Sequence, residues 1–365
     1  MLASSWAAFA TALALLSQVS ALSTTSEHKH STDDCTEFIA PVLANATNVA
    51  NITLDSPGSG SLQVGPAAFD LFFRFCTPLR PTRRSKTVQI LSHGGTYTHE
   101  YWNIKYKPHV YSYERAALAR GYSTLSYDTL GNGKSAKPDP FDVVQHPFLT
   151  QQVISLVHAV RDGTLAPPHI VLPAFDKVVY VGHSIGSILL NSALAASPNL
   201  PVDAAVFTGF THSNEANPVL TVGNGALQIA SQTFPDRFGS LSDGYTVSTY
   251  RAIFYGPPGS YEDGALAYDT AIQDLLTVGY AFTVRFGFVT ASAFSGHVLA
   301  VAGEQDATFC TQPGCANLAQ EAAFYPAAAS FEAQVIPNTG HVLNLHKSSA
   351  ATYTSILDWL ARKGF

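Results

Sequence analysis

The stretch Gly182-His183-Ser184-Ile185-Gly186 combines residue types and a spacing that can do chemistry. It lies between an apolar β-type run, Val178 to Val181, and a helix-forming run from Ile185 to Ala196. A serine on so sharp a strand-to-helix turn needs glycine on either side to relieve crowding, and the turn lifts its hydroxyl clear of the sheet. Ser184 is therefore the candidate nucleophile. A serine hydroxyl is weak at neutral pH, so it needs a histidine base and an acid that orients the imidazole. Asp306 follows the apolar run Val298 to Ala302, and His341 follows the run that ends at Ile336, giving the chain order Ser, Asp, His. Glu304 and Glu215 are rival acids, and His346 and His297 are rival bases. His346 falls at the start of the last helix and His297 before a strand, and neither position suits a base. His183 reads as packing beneath the turn, and His93 as holding its loop by hydrogen bonds.

Three residues so far apart can meet only if a common scaffold gathers their loops. The pattern supplies one: β-type runs at Lys86 to Leu91, Tyr122 to Tyr127, Val178 to Gly182, Ala204 to Phe210, Val298 to Ala302 and Phe331 to Ile336. Helical patterns at Tyr111 to Arg120, Thr150 to Val160, Ile185 to Ala196 and Ser348 to Arg362 alternate with them. Such alternation implies right-handed crossovers and a mostly parallel sheet covered on both faces. In open sheets of this kind the loops at the carboxyl ends of the strands converge on one crevice. Ser61 to Phe75 reads as a hairpin-like stretch ahead of this rhythm. Between His212 and Ser295 the rhythm is lost and aromatic residues crowd the chain, among them Phe234, Tyr245, Tyr250, Phe254, Tyr255, Tyr268, Tyr280 and Phe286.

With these motifs in place, the sequence from about Ser61 to Phe365 resembles the α/β-hydrolase superfamily. The resemblance implies an α/β-hydrolase fold: an eight-stranded, mostly parallel sheet with helices on both faces and an inserted cap, here at about 212–295. The turn His93-Gly94-Gly95-Thr96 is similar to the family's oxyanion loop, which implies that the backbone N–H groups of Gly95 and Ile185 bind the developing negative oxygen. Tyr127 to Ser135 is similar to a family loop that shapes the entrance to the site. Relatives that act as epoxide hydrolases or dehalogenases use aspartate where this chain has Ser184. The implied activity is hydrolysis of a carboxylic ester or lactone with an apolar moiety, through an acyl-enzyme, with no metal or organic cofactor. Carbon–carbon bond hydrolysis, acyl transfer and peptide hydrolysis use the same triad. A catalytically silent binding module on the same fold is a reading of a different class.

Composition narrows the remaining choices. The chain has 365 residues and is 46% hydrophobic, enough for a large core, while only 13% of residues are charged, with 20 basic against 26 acidic. Arg80, Arg83, Arg84 and Lys86 form the densest basic group, too small a footprint for nucleic acid. Gly131-Asn132-Gly133-Lys134-Ser135 lacks the glycine five residues before Gly133 that a phosphate loop requires, since Asp128 stands there. An apolar run from Ala7 to Leu16, followed by small residues up to Ala21, reads as a cleaved signal peptide over 1–21. Residues 22–34 then form a flexible polar arm, and 35–365 the folded domain. The expected location is extracellular, without a stable membrane span. Two sequons, at Asn45 and Asn51, agree with passage through a glycosylating pathway. Four cysteines fit an oxidising compartment. Their placement suggests Cys35 with Cys76 and Cys310 with Cys315, although sequence alone allows three pairings.

Overall fold

Eight strands form the central sheet of the computed structural model, which describes residues 33–213 and 227–365. They are β1 (Asp33–Val49), β2 (Ser61–Pro78), β3 (Thr87–Ser92), β4 (Ser123–Tyr127), β5 (Lys177–His183), β6 (Ala204–Thr208), β7 (His297–Gly303) and β8 (Ser330–Ile336). Their spatial order is β1-β2-β4-β3-β5-β6-β7-β8. β2 pairs antiparallel with β1 and with β4, and every other neighbouring pair in this sheet is parallel. The signal-peptide reading of 1–21 and nearly all of the arm at 22–34 fall outside the described residues.

The parallel strands are apolar on both faces because both faces are covered. Val178 and Tyr180 of β5 pack in the same core as α2 (His146–Asp162) and α3 (Ile185–Ala196). Their alternates Val179 and Val181 join a second core with α1 (Tyr113–Ala119) and α5 (Ser349–Arg362). On α5 the buried residues Tyr353, Ile356, Leu357 and Leu360 recur at helical spacing and form one stripe. α2 stops at Gly163, whose φ of 67° closes the helix in the left-handed region.

The antiparallel edge differs from the hairpin-like reading of Ser61 to Phe75. That stretch is part of one long strand, and its partner is β1, which runs from Asp33 through both Cys35 and Asn45. Strict alternation explains the pairing: Phe38, Ala40, Val42, Ala44 and Ala46 face the core, while Ile39, Leu43 and Asn45 face outward. Cys35 and Cys76 stand opposite each other in the register and are joined, as are Cys310 and Cys315 after β7.

Between β6 and β7 lie a three-stranded antiparallel sheet of Gln228–Ile229, Tyr245–Val247 and Leu276–Thr277, the helix α4 (Asp263–Ile272), and shorter helical turns. The reading of a cap at about 212–295 includes 214–226, which lie outside the described residues. No helix among the described residues is long and apolar enough to cross a membrane.

Candidate active site

Ser184 sits between β5 and α3 with φ 52° and ψ −116°, a conformation an L-residue adopts only when its surroundings enforce it. The surroundings here are backbone. A Cβ on Gly182 would lie 2.6 Å from Ser187 N, and one on Gly186 would lie 2.3 Å from Ser92 O, so neither position admits a side chain. Ser184 N donates to Thr208 O at 2.9 Å, and Ser187 Oγ donates to the same carbonyl at 3.2 Å. The turn is thus fastened to the end of the neighbouring strand, β6.

Asp306 and His341 reach the same region from the loops after β7 and β8. Asp306 Oδ1 accepts from the N–H groups of Thr308 (2.8 Å) and Phe309 (3.2 Å), which leaves Oδ2 to accept from His341 Nδ1 at 2.9 Å. That bond places the imidazole proton on Nδ1 and leaves Nε2 as a bare acceptor. The His341 ring stands between Phe254 and Phe309, with centroids 5.7 and 5.6 Å away, and 4.8 Å from the ring of His183. Asp306 is fully buried, and Ser184 and His341 are nearly so. Ser184 Oγ makes no hydrogen bond among the described residues; it shares with His341 the wall of one crevice.

That crevice, with the open solvent at its mouth, offers about 420 Å³ of empty space. Tyr97, Ile185, Leu227, Phe254 and Leu276 give it apolar walls, and Gly94 and Gly95 pass over Ser184. A Cβ on Gly94 would meet Ser184 Cβ at 3.1 Å, which shows how closely this loop approaches the serine. His93 orients the loop. Its Nε2 accepts from Thr129 N at 3.1 Å, so Nδ1 carries the proton and donates to Gly94 O at 2.8 Å. In a trans peptide the C=O and the following N–H point oppositely, so this bond sends the Gly95 N–H away from His93. Burial holds the His93 pKa below the usual histidine range and keeps the ring neutral, as both bonds require.

The rival residues are otherwise engaged. His346 Nε2 accepts from Gly256 N (2.9 Å) and Gly340 N (3.0 Å), while Nδ1 donates to Val342 O. Burial lowers its pKa to about 4. His297 pairs with Ser330 Oγ, and Glu304 accepts from Asn338 N. Glu215 lies outside the described residues. His183 donates through Nδ1 to Thr208 Oγ1, whose own proton goes to Gly182 O, and stacks on Tyr101 at 4.3 Å. Burial, with His341 adding to it, holds its pKa well below the normal value. Asp128 accepts from His99 and Lys134 N, and Ser135 Oγ donates to Asp128 O, so the Tyr127 to Ser135 loop is tied by its own polar groups. Cys35, Cys76 and Glu114 are close together, but the two sulfurs are bonded to each other and are not free to bind a metal.

Sequence reasoning did not find Arg251. Its guanidinium is buried, pairs with Asp269 through two contacts (Nη2 to Oδ1 2.8 Å, Nε to Oδ2 3.3 Å), and donates through Nη1 to Thr96 Oγ1 at 2.6 Å. Nothing in the spacing marks it, because its partners lie 18 and 155 residues away.

Residues 89–353 match the model of a family described as the alpha/beta hydrolase family. Among solved structures, the chain is similar to a thermophilic esterase from Thermogutta terrifontis, with 13% identity, 87% of this chain and 98% of that chain covered, and a TM-score of 0.54. It is similar to a monoacylglycerol lipase of Paleococcus ferrophilus at 12% identity, covering 80% and 98%, TM-score 0.53. An epoxide hydrolase from Vigna radiata gives 14% identity, 80% and 95%, and TM-score 0.52. At such identities the likeness is one of fold. No curated protein matches the chain.

Proposed function

The chain belongs to the alpha/beta hydrolase family, and from that premise we propose that it is a secreted serine hydrolase of carboxylic esters or lactones with an apolar moiety. The observation that carries this reading is the crevice on which Ser184, Gly95, Ile185 and His341 converge, with Asp306 fixing the imidazole from behind. An aspartate nucleophile, as in the epoxide hydrolases, is absent from position 184.

In this mechanism His341 Nε2 takes the proton of Ser184 Oγ as the oxygen attacks the substrate carbonyl. The serine–histidine bond, not made in the free chain, forms as substrate arrives, as catalytic bonds that are open in the free enzyme commonly do. The N–H groups of Gly95 and Ile185, neither of which has an acceptor among the described residues, receive the oxyanion. His341 then protonates the leaving alcohol and activates water against the acyl-enzyme, while Asp306 stays ionised. The aromatic and aliphatic walls of the crevice favour an apolar acyl or alcohol group.

Two disulfides support an oxidising location, and the exposed side chains of Asn45 and Asn51 are open to glycosylation. A mass shift on enzymatic deglycosylation of protein from a secreting host would show those sugars.

The experiment is turnover of a panel of p-nitrophenyl esters and lactones by the full chain and by Ser184→Ala, together with fluorophosphonate labelling. Labelling at Ser184 and loss of at least about 10⁴-fold in kcat on substitution are expected. Full turnover by the alanine variant would remove the nucleophile and the reading with it.

A further inference from the structure

We propose that Arg251 is a positioning residue for the oxyanion loop: held by Asp269, it clamps Thr96 so that the Gly95 N–H is preset before substrate binds. This rests on the serine-hydrolase reading above and concerns how fast that site works.

Thr96 is a β-branched residue at φ 62°, in the left-handed region that such residues avoid, so something must hold it there. Its backbone is pinned by residues from between β6 and β7: Thr96 N donates to Leu275 O at 3.2 Å, and Asp274 N donates to Thr96 O at 2.8 Å. Its side chain is pinned as well. The hydroxyl donates to Gly95 O at 2.6 Å and accepts from Arg251 Nη1, so one oxygen links the guanidinium to the carbonyl beside the proposed oxyanion donor. His93 anchors the other side of Gly95 through Gly94 O. Gly95, free to rotate by itself, is left between two fixed peptides.

The guanidinium is aimed by its setting. Asp269 occupies Nε and Nη2, and the rings of Tyr97 and Phe254 lie 4.5 and 5.0 Å from the guanidinium carbon, which leaves Nη1 one direction. Both rings also line the crevice, and Phe254 is the wall behind His341. A buried ion pair is often matched or exceeded in stability by apolar residues of the same volume, so stability alone gives little reason for this one. Directing a charged donor at a strained threonine gives a specific one.

The test is a double-mutant cycle on Thr96 and Arg251 in the full chain, read as kcat and KM on the best ester and as the affinity of a trifluoromethyl ketone, whose adduct carries the oxyanion. Thr96→Val keeps the shape and removes the hydroxyl. It is expected to lower kcat about 10-fold or more with KM within about twofold, and to weaken the ketone in proportion. Thr96→Ser should recover most of that loss, and Arg251→Met on the Thr96→Val background should cost little more. If Arg251→Met does not fold, Asp269→Asn takes its place in the cycle. A Thr96→Val variant with unchanged kcat, a loss confined to KM, or additive losses in the double variant would overturn the clamp. These results are read against a wild type that is active and labelled at Ser184, so they are distinct from failure of the hydrolase reading, in which the wild type itself neither turns over nor labels.

Discussion

Asp306 shows how a single side chain can be given one task. Two backbone N–H groups occupy its Oδ1, so only Oδ2 is left for His341, and the imidazole has only one orientation to adopt. Asp306→Asn keeps an oxygen for those N–H groups and should fold. Its amide would present N–H to Nδ1, reversing the tautomer and protonating Nε2, the nitrogen proposed to act as base. A fall of about 10⁴-fold in kcat with little change in melting temperature is expected, measured on the best ester of the panel. At this scale the sequence could nominate Ser184, Asp306 and His341 for the proposed triad because each lies a few residues beyond an apolar run in a fixed order. Arg251 could not, because what makes it noteworthy is a burial and a partner, Thr96, that only the folded chain supplies.

At the scale of elements, the parallel core was legible for a simple reason. Strands buried on both faces read as unbroken apolar runs, as Val178 to Val181 does, and helices between them carry a different period. β1 was harder to see. Its outward residues include Asn45, Thr47 and Pro41, which dilute the β-type signal, and its partner is set by a disulfide and by register across a long turn. The Cys35–Cys76 bridge spans a sequence separation of 41 and ties the start of β1 to the end of β2. Replacing both cysteines with alanine should therefore lower unfolding stability by about 2–4 kcal/mol, read by denaturant titration. The shorter Cys310–Cys315 link, with a separation of 5, constrains far less of the unfolded chain and should cost less. Equal losses for the two pairs would show that chain entropy is not what the long bridge contributes.

For the molecule as a whole, acid is a condition to which this fold is sensitive. Burial lowers the pKa of His146 to about 3 and that of His346 to about 4, and it also lowers those of His93 and His183. In the unfolded chain each takes up a proton near pH 6.5, so below that pH the unfolded state binds more protons and stability falls as the pH falls. The decline contributed by His346 runs from about pH 6.5 to about 4 and amounts to about 3 kcal/mol. Asp274, whose pKa is raised by burial, works in the opposite sense. Calorimetry at pH 7, 6, 5 and 4 should show a continuous drop in melting temperature, and a flat profile would contradict the neutral state of these rings.

The backbone bonds from Asp274 and Leu275 to Thr96 join the segment between β6 and β7 to the loop over the serine. That segment is therefore not an interchangeable cassette. A chimera that borrowed the corresponding stretch from another alpha/beta hydrolase, in the hope of importing its substrate preference, would also remove the grip on Thr96. The transplanted preference would arrive with a slower chemical step, and recovering speed would mean transplanting the grip as well.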